Sequence, residues 1–494
     1  MDTGGRRVSL IKGQSELELT EGSIVKPLFY LSLPIVVTNL LQVAYNIADT
    51  FWLAGVSTDA VAGITFAFPM VFLLISFGMG LSVAGSVLVA QHFGAEERGK
   101  AEYAASQTVV WALAGSALLG VLAFPVVGPL IEFFGASPNV LEGARAYMQV
   151  IALGLPLMFG FFVFIALMRG SGDTITPMIV MFGTVVLNIA LDPFLIYGWT
   201  LVENAPLVGT IAFPELGIQG AAIATVFSRG LATIVGLAIM FSGRRGVRIN
   251  LRSMVPNLGY LRTLLRVGLP ASVESTGRAL SVNAMLIVVG FFADPVVAAF
   301  GIGTRVFSVI FLPAIAVGRG VETMTGQNIG AGKPERAGMA ARAAAKGMFA
   351  ILSVLGLLIF LVPRPIVAPL SPSAEVTAIG VEFMRYTALS FGFIGILRAF
   401  SGSFRGAGKT LIAAAIAVLT LGVIRLSIAF VASQYWLGVQ GIWVAFSVSN
   451  VAGAIIAWLW YRRGTWRDGD VRETPGSGPS GAVEADPDPT VGDD

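Results

Sequence analysis

The sequence contains no cysteine and a single histidine, His92, among 494 residues. Disulfide bonds and thiolate metal sites are therefore excluded, and one histidine gives little capacity for zinc, haem or iron–sulfur chemistry. These absences remove most metalloenzyme and thiol-enzyme classes. We predict that His92 lies in a solvated loop and has no catalytic role.

Charged residues are also scarce, at 12% of the sequence, whereas soluble domains carry about 25%. Hydrophobic residues make up 55% of the chain and the mean hydropathy is +0.80. Most of this chain must therefore contact the lipid bilayer. The net charge of +3 does not indicate a nucleic-acid binder, because the basic residues lie in short loops between apolar runs.

Apolar runs long enough to cross a bilayer, which takes about 20 residues, recur along the whole chain. They predict an all-α polytopic membrane protein with twelve transmembrane helices, near 27–52, 60–90, 103–130, 143–168, 175–198, 217–242, 263–291, 296–326, 343–363, 378–403, 410–433 and 438–461.

The loops between these runs alternate in charge. The basic loops contain Arg6, Arg7, Lys12 and Lys26; Arg98 and Lys100; Arg169; Arg244, Arg245, Arg248 and Arg252; Lys333 and Arg336; Arg405 and Lys409; and Arg462, Arg463 and Arg467. The intervening loops contain only one basic residue, Arg364. Because basic loops stay inside, we expect a multi-pass protein of the cell membrane with both termini in the cytoplasm.

The same pattern gives the predicted domain organisation. A cytoplasmic N-terminus (1–26) precedes a first lobe (27–243), a basic linker (244–261) and a second lobe (262–463). The N-terminus has mixed charges and no cleavage site, so no signal peptide is predicted. The acidic tail (464–494) is rich in Gly, Pro and Ser, and such a composition predicts disorder.

Sequence motifs recur at one fixed offset. Pro34 and Pro270 differ by 270 − 34 = 236, and the segment from Gln91 to Ala95 matches the segment 327–331 at the same offset. The segments 169–174 and 405–410 also match at 236. Each copy contains six predicted helices, an even number, so both copies enter the membrane in the same orientation. This predicts two parallel six-helix lobes with a cavity between them.

Two carboxylates in the first lobe are the strongest functional candidates, because an ionisable side chain inside a membrane is costly. Asp49 lies near the outer end of helix 1, and Asp192 lies about two turns from the outer end of helix 5. Asn188 shares a helix face with Asp192. Tyr147 and Thr225 fall at a similar depth. The alternative is that the two aspartates only end their helices at the membrane interface.

In the second lobe, the spacing of the charged residues favours intrahelical ion pairs that lower the cost of burial. The pairs are Glu274 with Arg278 and Arg319 with Glu322. The motif Gly170-Ser171-Gly172-Asp173 resembles that of intramembrane aspartyl proteases, but its repeat copy has Lys409 in place of the acid. We therefore do not predict an enzyme.

Several motifs are distinctive when they are taken together: Pro34; Gln42; Tyr45-Asn46-x-Ala48-Asp49; Gln91-x-x-Gly94-Ala95; Arg169-Gly170-x-Gly172-Asp173; and Leu187-Asn188-x-x-x-Asp192-Pro193. With these motifs the chain resembles the multidrug and toxic compound extrusion (MATE) family over residues 20–463, and most closely its DinF-like branch, which includes archaeal members.

This resemblance implies a V-shaped pair of lobes and an antiporter that exports drugs or toxic organic cations in exchange for H⁺ or Na⁺. It implies a cation-coupling site formed by Asp49, Asp192, Asn188, Thr225 and Tyr147. A bend of helix 1 at Pro34 is implied when the aspartate is protonated. The predicted substrate cavity comprises Gln42, Tyr45, Asn46, Glu274 and Arg278.

Beyond the coupling ion, which is either H⁺ or a Na⁺ held at Asp49 and Asp192, we predict no metal and no cofactor. We expect a monomer in the lipid bilayer. In another branch of the family an acid stands on helix 7 where this chain has Arg278, which argues against a second cation site there. The alternative function is a flippase for lipid-linked oligosaccharides, from the same superfamily. The paired aspartates of the first lobe favour cation coupling instead.

Overall fold

A computed structural model of the protein describes residues 18–133, 138–205 and 209–472. In the first half of the chain it contains six helices: α1 Val25–Ala54, α2 Thr58–Gly94, α3 Arg98–Phe133, α4 Pro138–Gly170, α5 Ile175–Tyr197 and α6 Gly217–Ser242. A short antiparallel hairpin, β1 Trp199–Ala205 and β2 Gly209–Phe213, follows α5. The strands lie in the long connection where the sequence analysis expected only a loop.

The second half has the same order of long helices with more interruptions. The helices are α7 Leu258–Val289, α8 Asp294–Gly330, α9 Pro334–Leu361, α10 Arg364–Val367, α11 Ala374–Ala388, α12 Phe391–Gly406, α13 Thr410–Ala417, α14 Leu426–Tyr435 and α15 Val439–Arg462. A π-helix, Val418–Arg425, joins α13 to α14, and 3₁₀ turns occupy Leu251–Met254 and Ala368–Leu370.

Within the described residues, 10 helices are long and apolar enough to cross a membrane, or 11 if the pair α11–α12, bent by 53°, forms one span. The predicted all-helical membrane fold is confirmed. The remaining predicted span, 263–291, coincides with α7. This helix is long enough to cross a membrane but is not counted among the apolar spans, and it carries the charged residues Arg262, Arg266, Glu274 and Arg278. The count of twelve therefore stays a prediction.

Local side-chain caps explain several helix starts. Ser57 accepts a hydrogen bond from the backbone N–H of Ala60 at 3.0 Å. Asp173, one residue before the N-cap Thr174 of α5, accepts one from the N–H of Thr176 at 2.9 Å and another from its hydroxyl at 2.6 Å, so that its carboxylate satisfies a free N–H of the first turn. The protease-like motif that ends in Asp173 thus forms the turn that starts α5.

The two halves contact each other through glycines at the end of the molecule that carries the basic loops, hereafter the basic side. A Cβ atom on Gly94 would collide with the carbonyl of Gln327, and one on Gly330 would collide with the carbonyl of Gln91. Deeper in the bundle, Gly80 of α2 touches the backbone of Gly268 in α7. Small residues let membrane helices approach this closely.

Two predictions about the basic side were wrong. His92 is fully buried in the last turn of α2, where Nδ1 lies 2.7 Å from Glu97. The predicted disordered tail is ordered over residues 464–472, because Trp466 is buried and stacks on Tyr461 with ring centroids 4.8 Å apart. Val471 donates its N–H to Gln91 at 2.9 Å. Residues 473–494, like 1–17, lie outside the described part of the chain.

Candidate functional site

The polar residues predicted in the first half come together between α1, α4, α5 and α6. Asp49 and Tyr45 lie on α1, and Asn188 and Asp192 lie on α5. Thr225 of α6 and Tyr147 of α4 complete the group, and all six side chains are buried. We call these six residues the carboxylate site. It lies near the end of the bundle opposite the basic side, because α1 and α5 both begin on the basic side.

The two carboxyl groups of this site face each other. Asp49 and Asp192 lie close enough to interact electrostatically. Asn188 Nδ2 donates to Asp192 Oδ1 at 3.2 Å. The spacing of four residues that the sequence showed between Asn188 and Asp192 therefore does place both on one helix face.

Several oxygens of the site have no hydrogen-bond partner among the described residues. They are Asp49 Oδ1, Asp192 Oδ2, Asn188 Oδ1, Thr225 Oγ1 and Tyr45 OH. Buried polar atoms are normally paired, so a group of orphaned oxygens needs an explanation. Oxygen ligands are what hard cations prefer, and a carboxyl pair can equally hold a proton. The donor set thus fits either predicted coupling ion.

Arg229 is a component of this region whose role the sequence left open. Its guanidinium is 3.2 Å from Gln42 Oε1 and lies over the ring of Tyr45, 5.1 Å from the centroid. Gln42 in turn donates to Asn46 at 3.1 Å. Of the predicted cavity residues, Gln42 and Asn46 therefore form a polar group on α1 that adjoins the carboxylate site, and Tyr45 belongs to the site itself.

Pro34, the predicted hinge, lies inside α1, which runs through it without interruption from Val25 to Ala54. Proline removes one backbone hydrogen bond from a helix. The hydroxyl of Thr38 donates to the Pro34 carbonyl at 2.9 Å. The structure thus places the weak point of α1 four turns away from Asp49; its role as a hinge stays a prediction.

The other two predicted cavity residues, Glu274 and Arg278, lie on α7 in a second charged group. Arg278 and Glu274 form the predicted ion pair at 3.3 Å. Arg319 and Glu322 form theirs at 2.9 Å. Both pairs are confirmed.

Arg405 connects these two pairs. It contacts Glu274 at 2.9 Å and Glu322 at 2.9 Å, and its side chain is 7% exposed. We call these five residues the ionic network. The sequence placed Arg405 in a predicted basic loop, so its contacts with Glu274 and Glu322 were not predicted. Arg169, its repeat copy, lies close enough to Glu322 to interact with it electrostatically.

Both halves of the chain match the same family of known proteins. The family model described as MatE matches residues 34–194 and again 270–431. The two matches begin 270 − 34 = 236 residues apart, which equals the offset of the internal repeat. Together they cover more than half of the chain, while the DinF-like branch stays a prediction.

Two curated relatives and one solved structure extend over nearly the whole chain. A probable multidrug resistance protein NorM from Thermotoga maritima is 29% identical over 90% of this chain and 93% of its own length. A probable multidrug resistance protein YoeA from Bacillus subtilis is 27% identical over 87% and 91%. The structure of an outward-facing multidrug resistance MATE family transporter of the MOP superfamily superposes with a TM-score of 0.82, at 24% identity over 92% and 98% of the two chains.

Proposed function

Because the chain belongs to the MatE family of membrane transporters, we propose that it is a cation-coupled antiporter of the cell membrane. It exports organic compounds in exchange for H⁺ or Na⁺, with both termini in the cytoplasm. The observation that carries this proposal is the facing pair of buried carboxyls, Asp49 and Asp192. The two relatives named as multidrug resistance proteins support the class of substrate.

The carboxylate site lies where it could couple the entry of a cation to the export of a substrate. Two carboxylates in a region of low dielectric constant cannot both be ionised at low cost, so the pair favours a proton or a sodium ion. The site lies toward the end opposite the basic side, where the coupling cation would enter from outside. Contacts between the halves through Gly94 and Gly330 fall on the basic side, which supports an outward-facing state.

The energy available is sufficient for efflux without ATP. One elementary charge that enters down a potential of about 100 mV supplies about 2.3 kcal/mol. At about 1.4 kcal/mol per tenfold ratio, this supports a concentration gradient of roughly fifty-fold for a neutral substrate. Arg229 lies near Asp49, and its fixed charge would favour release of the cation once the site has turned inward.

The test is transport by proteoliposomes that contain Asp49→Asn or Asp192→Asn. Each variant should lose accumulation of a drug against its gradient, because neither retains the carboxyl pair. Imposing a proton gradient in sodium-free buffer and a sodium gradient at constant pH identifies the ion. Asp294→Asn is a matched control, since Asp294 is exposed at the start of α8. Wild-type pumping by Asp49→Asn under either gradient would overturn the proposal.

A further inference from the structure

The second half of the molecule encloses a cavity with a different chemistry from the carboxylate site. Its volume is about 360 Å³, within the range of small-molecule sites. Three arginines line it, Arg278, Arg398 and Arg425, and no described lining residue is acidic. The walls are otherwise aromatic, aliphatic or hydroxylated, and include Phe300, Phe307, Phe311 and Phe446.

Two of these arginines form no ion pair with a carboxylate among the described residues, although Glu274 is near enough to Arg398 to interact with it electrostatically. Arg425 is held by neutral groups, with Nε 2.8 Å from Ser449 Oγ and a terminal nitrogen 2.8 Å from Asn450 Oδ1. Arg398 Nε is buried without a hydrogen-bond partner among the described residues. Uncompensated arginines inside a membrane are costly and are functional candidates by default.

The third arginine is only partly neutralised. Arg278 contacts Glu274 at 3.3 Å, but Arg405 binds the same carboxylate more closely, at 2.9 and 3.2 Å. The charge of Glu274 is thus shared between two guanidinium groups. The cavity therefore carries an excess of positive charge that the surrounding side chains do not cancel.

Aromatic rings lie next to the same arginines. The guanidinium of Arg425 is 4.4 Å from the ring centroid of Phe446, and that of Arg398 is 5.7 Å from Phe311. An arginine on an aromatic face is fixed in orientation and presents its edge to a planar anionic group. This arrangement matches a ligand with an aromatic body and an anionic group.

The backbone is also irregular at this point. The π-helix Val418–Arg425 interrupts the helical span 410–435, and Thr420, Leu421 and Arg425 of that segment all line the cavity. π-helical turns are rare and occur frequently at functional sites.

The internal repeat shows that the two halves have opposite polarity at equivalent positions. At the offset of 236, Arg278, Arg398 and Arg425 correspond to Gln42, Phe162 and Ile189. Conversely, Asp49 and Asp192 correspond to Met285 and Ile428. At these positions the second half therefore has apolar residues in place of the two acids, and three arginines where the first half has no cation.

We propose that the cavity lined by Arg278, Arg398 and Arg425 is a binding site for an aromatic or amphipathic anion, with a phosphate, sulfonate or carboxylate against the arginines and the apolar body among the phenylalanines. This goes beyond the proposed function, because it assigns a binding site and a ligand class of opposite charge to the organic cations that the family resemblance implies. The anionic group comes from a free organic anion or from a lipid headgroup.

The experiment measures binding to the purified full-length protein by equilibrium dialysis. Three probes share a naphthalene ring and differ in charge: 2-naphthyl phosphate, 2-naphthol and 2-naphthyltrimethylammonium. The phosphate should bind at least tenfold more tightly than the other two. Arg425→Gln and Arg398→Gln should each weaken its binding about tenfold, which corresponds to about 1.4 kcal/mol, while naphthol binding is unchanged. Arg425→Lys should restore part of the affinity.

Matched controls separate this site from general charge effects and from coupling. Arg305→Gln removes an exposed arginine of α8 that does not line the cavity, and it should bind the phosphate as the wild type does. Asp192→Asn should also keep this binding even though it loses coupled transport. Failure of the coupling proposal and failure of this one are thus distinguishable.

A second arm identifies the source of the anion. The protein is placed in nanodiscs of phosphatidylcholine with or without phosphatidylglycerol. Competition by phosphatidylglycerol identifies a lipid headgroup as the occupant, and undiminished binding identifies a free organic anion. Equal affinity for the phosphate and the trimethylammonium probe would overturn the proposal. So would wild-type binding by Arg398→Gln, a change that removes no side-chain hydrogen bond found among the described residues.

Discussion

Gln91 and Gln327, at equivalent positions of the internal repeat, each donate a side-chain amide to a backbone carbonyl of the opposite half. Gln91 Nε2 lies 3.1 Å from the carbonyl of Gly406, and Gln327 Nε2 lies 3.1 Å from that of Gly170. The acceptors are themselves related by the repeat, since 406 − 170 = 236. A matched pair of buried hydrogen bonds therefore joins the two halves on the basic side.

We predict that Gln91→Ala and Gln327→Ala each shift the protein toward a state that is open on the basic side. Loss of a buried hydrogen bond costs about 1 kcal/mol, which corresponds to roughly a fivefold change in the population ratio. Since the sequence has no cysteine, spin labels on Lys100→Cys and Glu335→Cys report the distance between the halves directly. Each variant should increase the share of long distances.

Gln107→Ala is the control for this experiment. Gln107 is equally buried, but its amide donates to the carbonyls of Ser253 and Val255, both at 2.7 Å, in the connection that precedes α7. Its loss should lower stability without opening the basic side. An identical distance distribution in all three variants would show that the paired glutamines do not hold the halves together.

The ordered segment 464–472 provides a second prediction. Trp466 is 1% exposed, and its Nε1 donates to the Tyr461 carbonyl at 3.1 Å. Trp466→Ala should destabilise the protein by about 3–5 kcal/mol, the usual cost of removing a buried tryptophan. Trp436→Ala, at a position 77% exposed, should change stability little. Thermal unfolding of the detergent-solubilised variants checks this, and equal midpoints for both would contradict the packing described here.

A third prediction concerns Glu97, in the loop between α2 and α3. Burial alone would raise the pKa of this carboxyl, but contacts with Lys100 at 2.8 Å and His92 at 2.7 Å outweigh burial and lower its pKa to about 2. A lowered pKa in the folded state stabilises the fold above the usual value of 4.5. That contribution is lost as the pH falls toward about 2.

Glu97→Gln should therefore unfold at a lower temperature than the wild type at pH 5 to 8, and the difference should shrink steadily below about pH 4.5. Thermal midpoints measured across this range check the prediction. Glu96→Gln is a neighbouring control, since Glu96 is exposed. A difference between Glu97→Gln and the wild type that stays constant down to pH 2 would mean that the side chain acts through its shape and not its charge.

The sequence predicted the helical architecture because hydropathy reports burial in lipid directly. Helix ends were less accurate. For example, α2 was expected over 60–90 but extends to Gly94, because Gln91 and His92 continue the helix where polar side chains find partners on the basic side. The site around Asp49 and Asp192 could also be predicted from the sequence, because an isolated acid within an apolar run is rare and costly in a membrane helix.

Arg405 was not accessible in this way. In the sequence it stands between Phe404 and Gly406 at the end of an apolar run, which is where a basic loop residue is expected. Its burial depends on two acids, Glu274 and Glu322, that are 131 and 83 residues away along the chain. One indirect indication of a further partner was present in the sequence. Glu274 and Glu322 both lie inside predicted membrane helices, where a carboxylate is costly to bury even with one arginine nearby.

The ionic network leads to the last prediction. Arg405 is the only one of its three arginines that contacts both Glu274 and Glu322. Arg405→Gln leaves each of these two buried carboxylates with a single ion-pair partner in the network, and breaking a buried ion pair costs about 3–5 kcal/mol. Arg278→Gln should cost less, because Glu274 keeps its contact with Arg405 at 2.9 Å.

Neutralising both an arginine and its carboxylate partner shows whether the cost of Arg405→Gln comes from unpaired charge or from lost side-chain packing. If the cost of Arg405→Gln comes from stranded charge, adding Glu274→Gln should recover part of the thermal stability, since one carboxylate no longer needs a partner. By the same reasoning, Glu274→Gln should recover less stability in Arg278→Gln than in Arg405→Gln, because in Arg278→Gln the carboxylate of Glu274 still contacts Arg405 at 2.9 Å. If Glu274→Gln instead lowers the stability of Arg405→Gln further, the network acts through packing and shape.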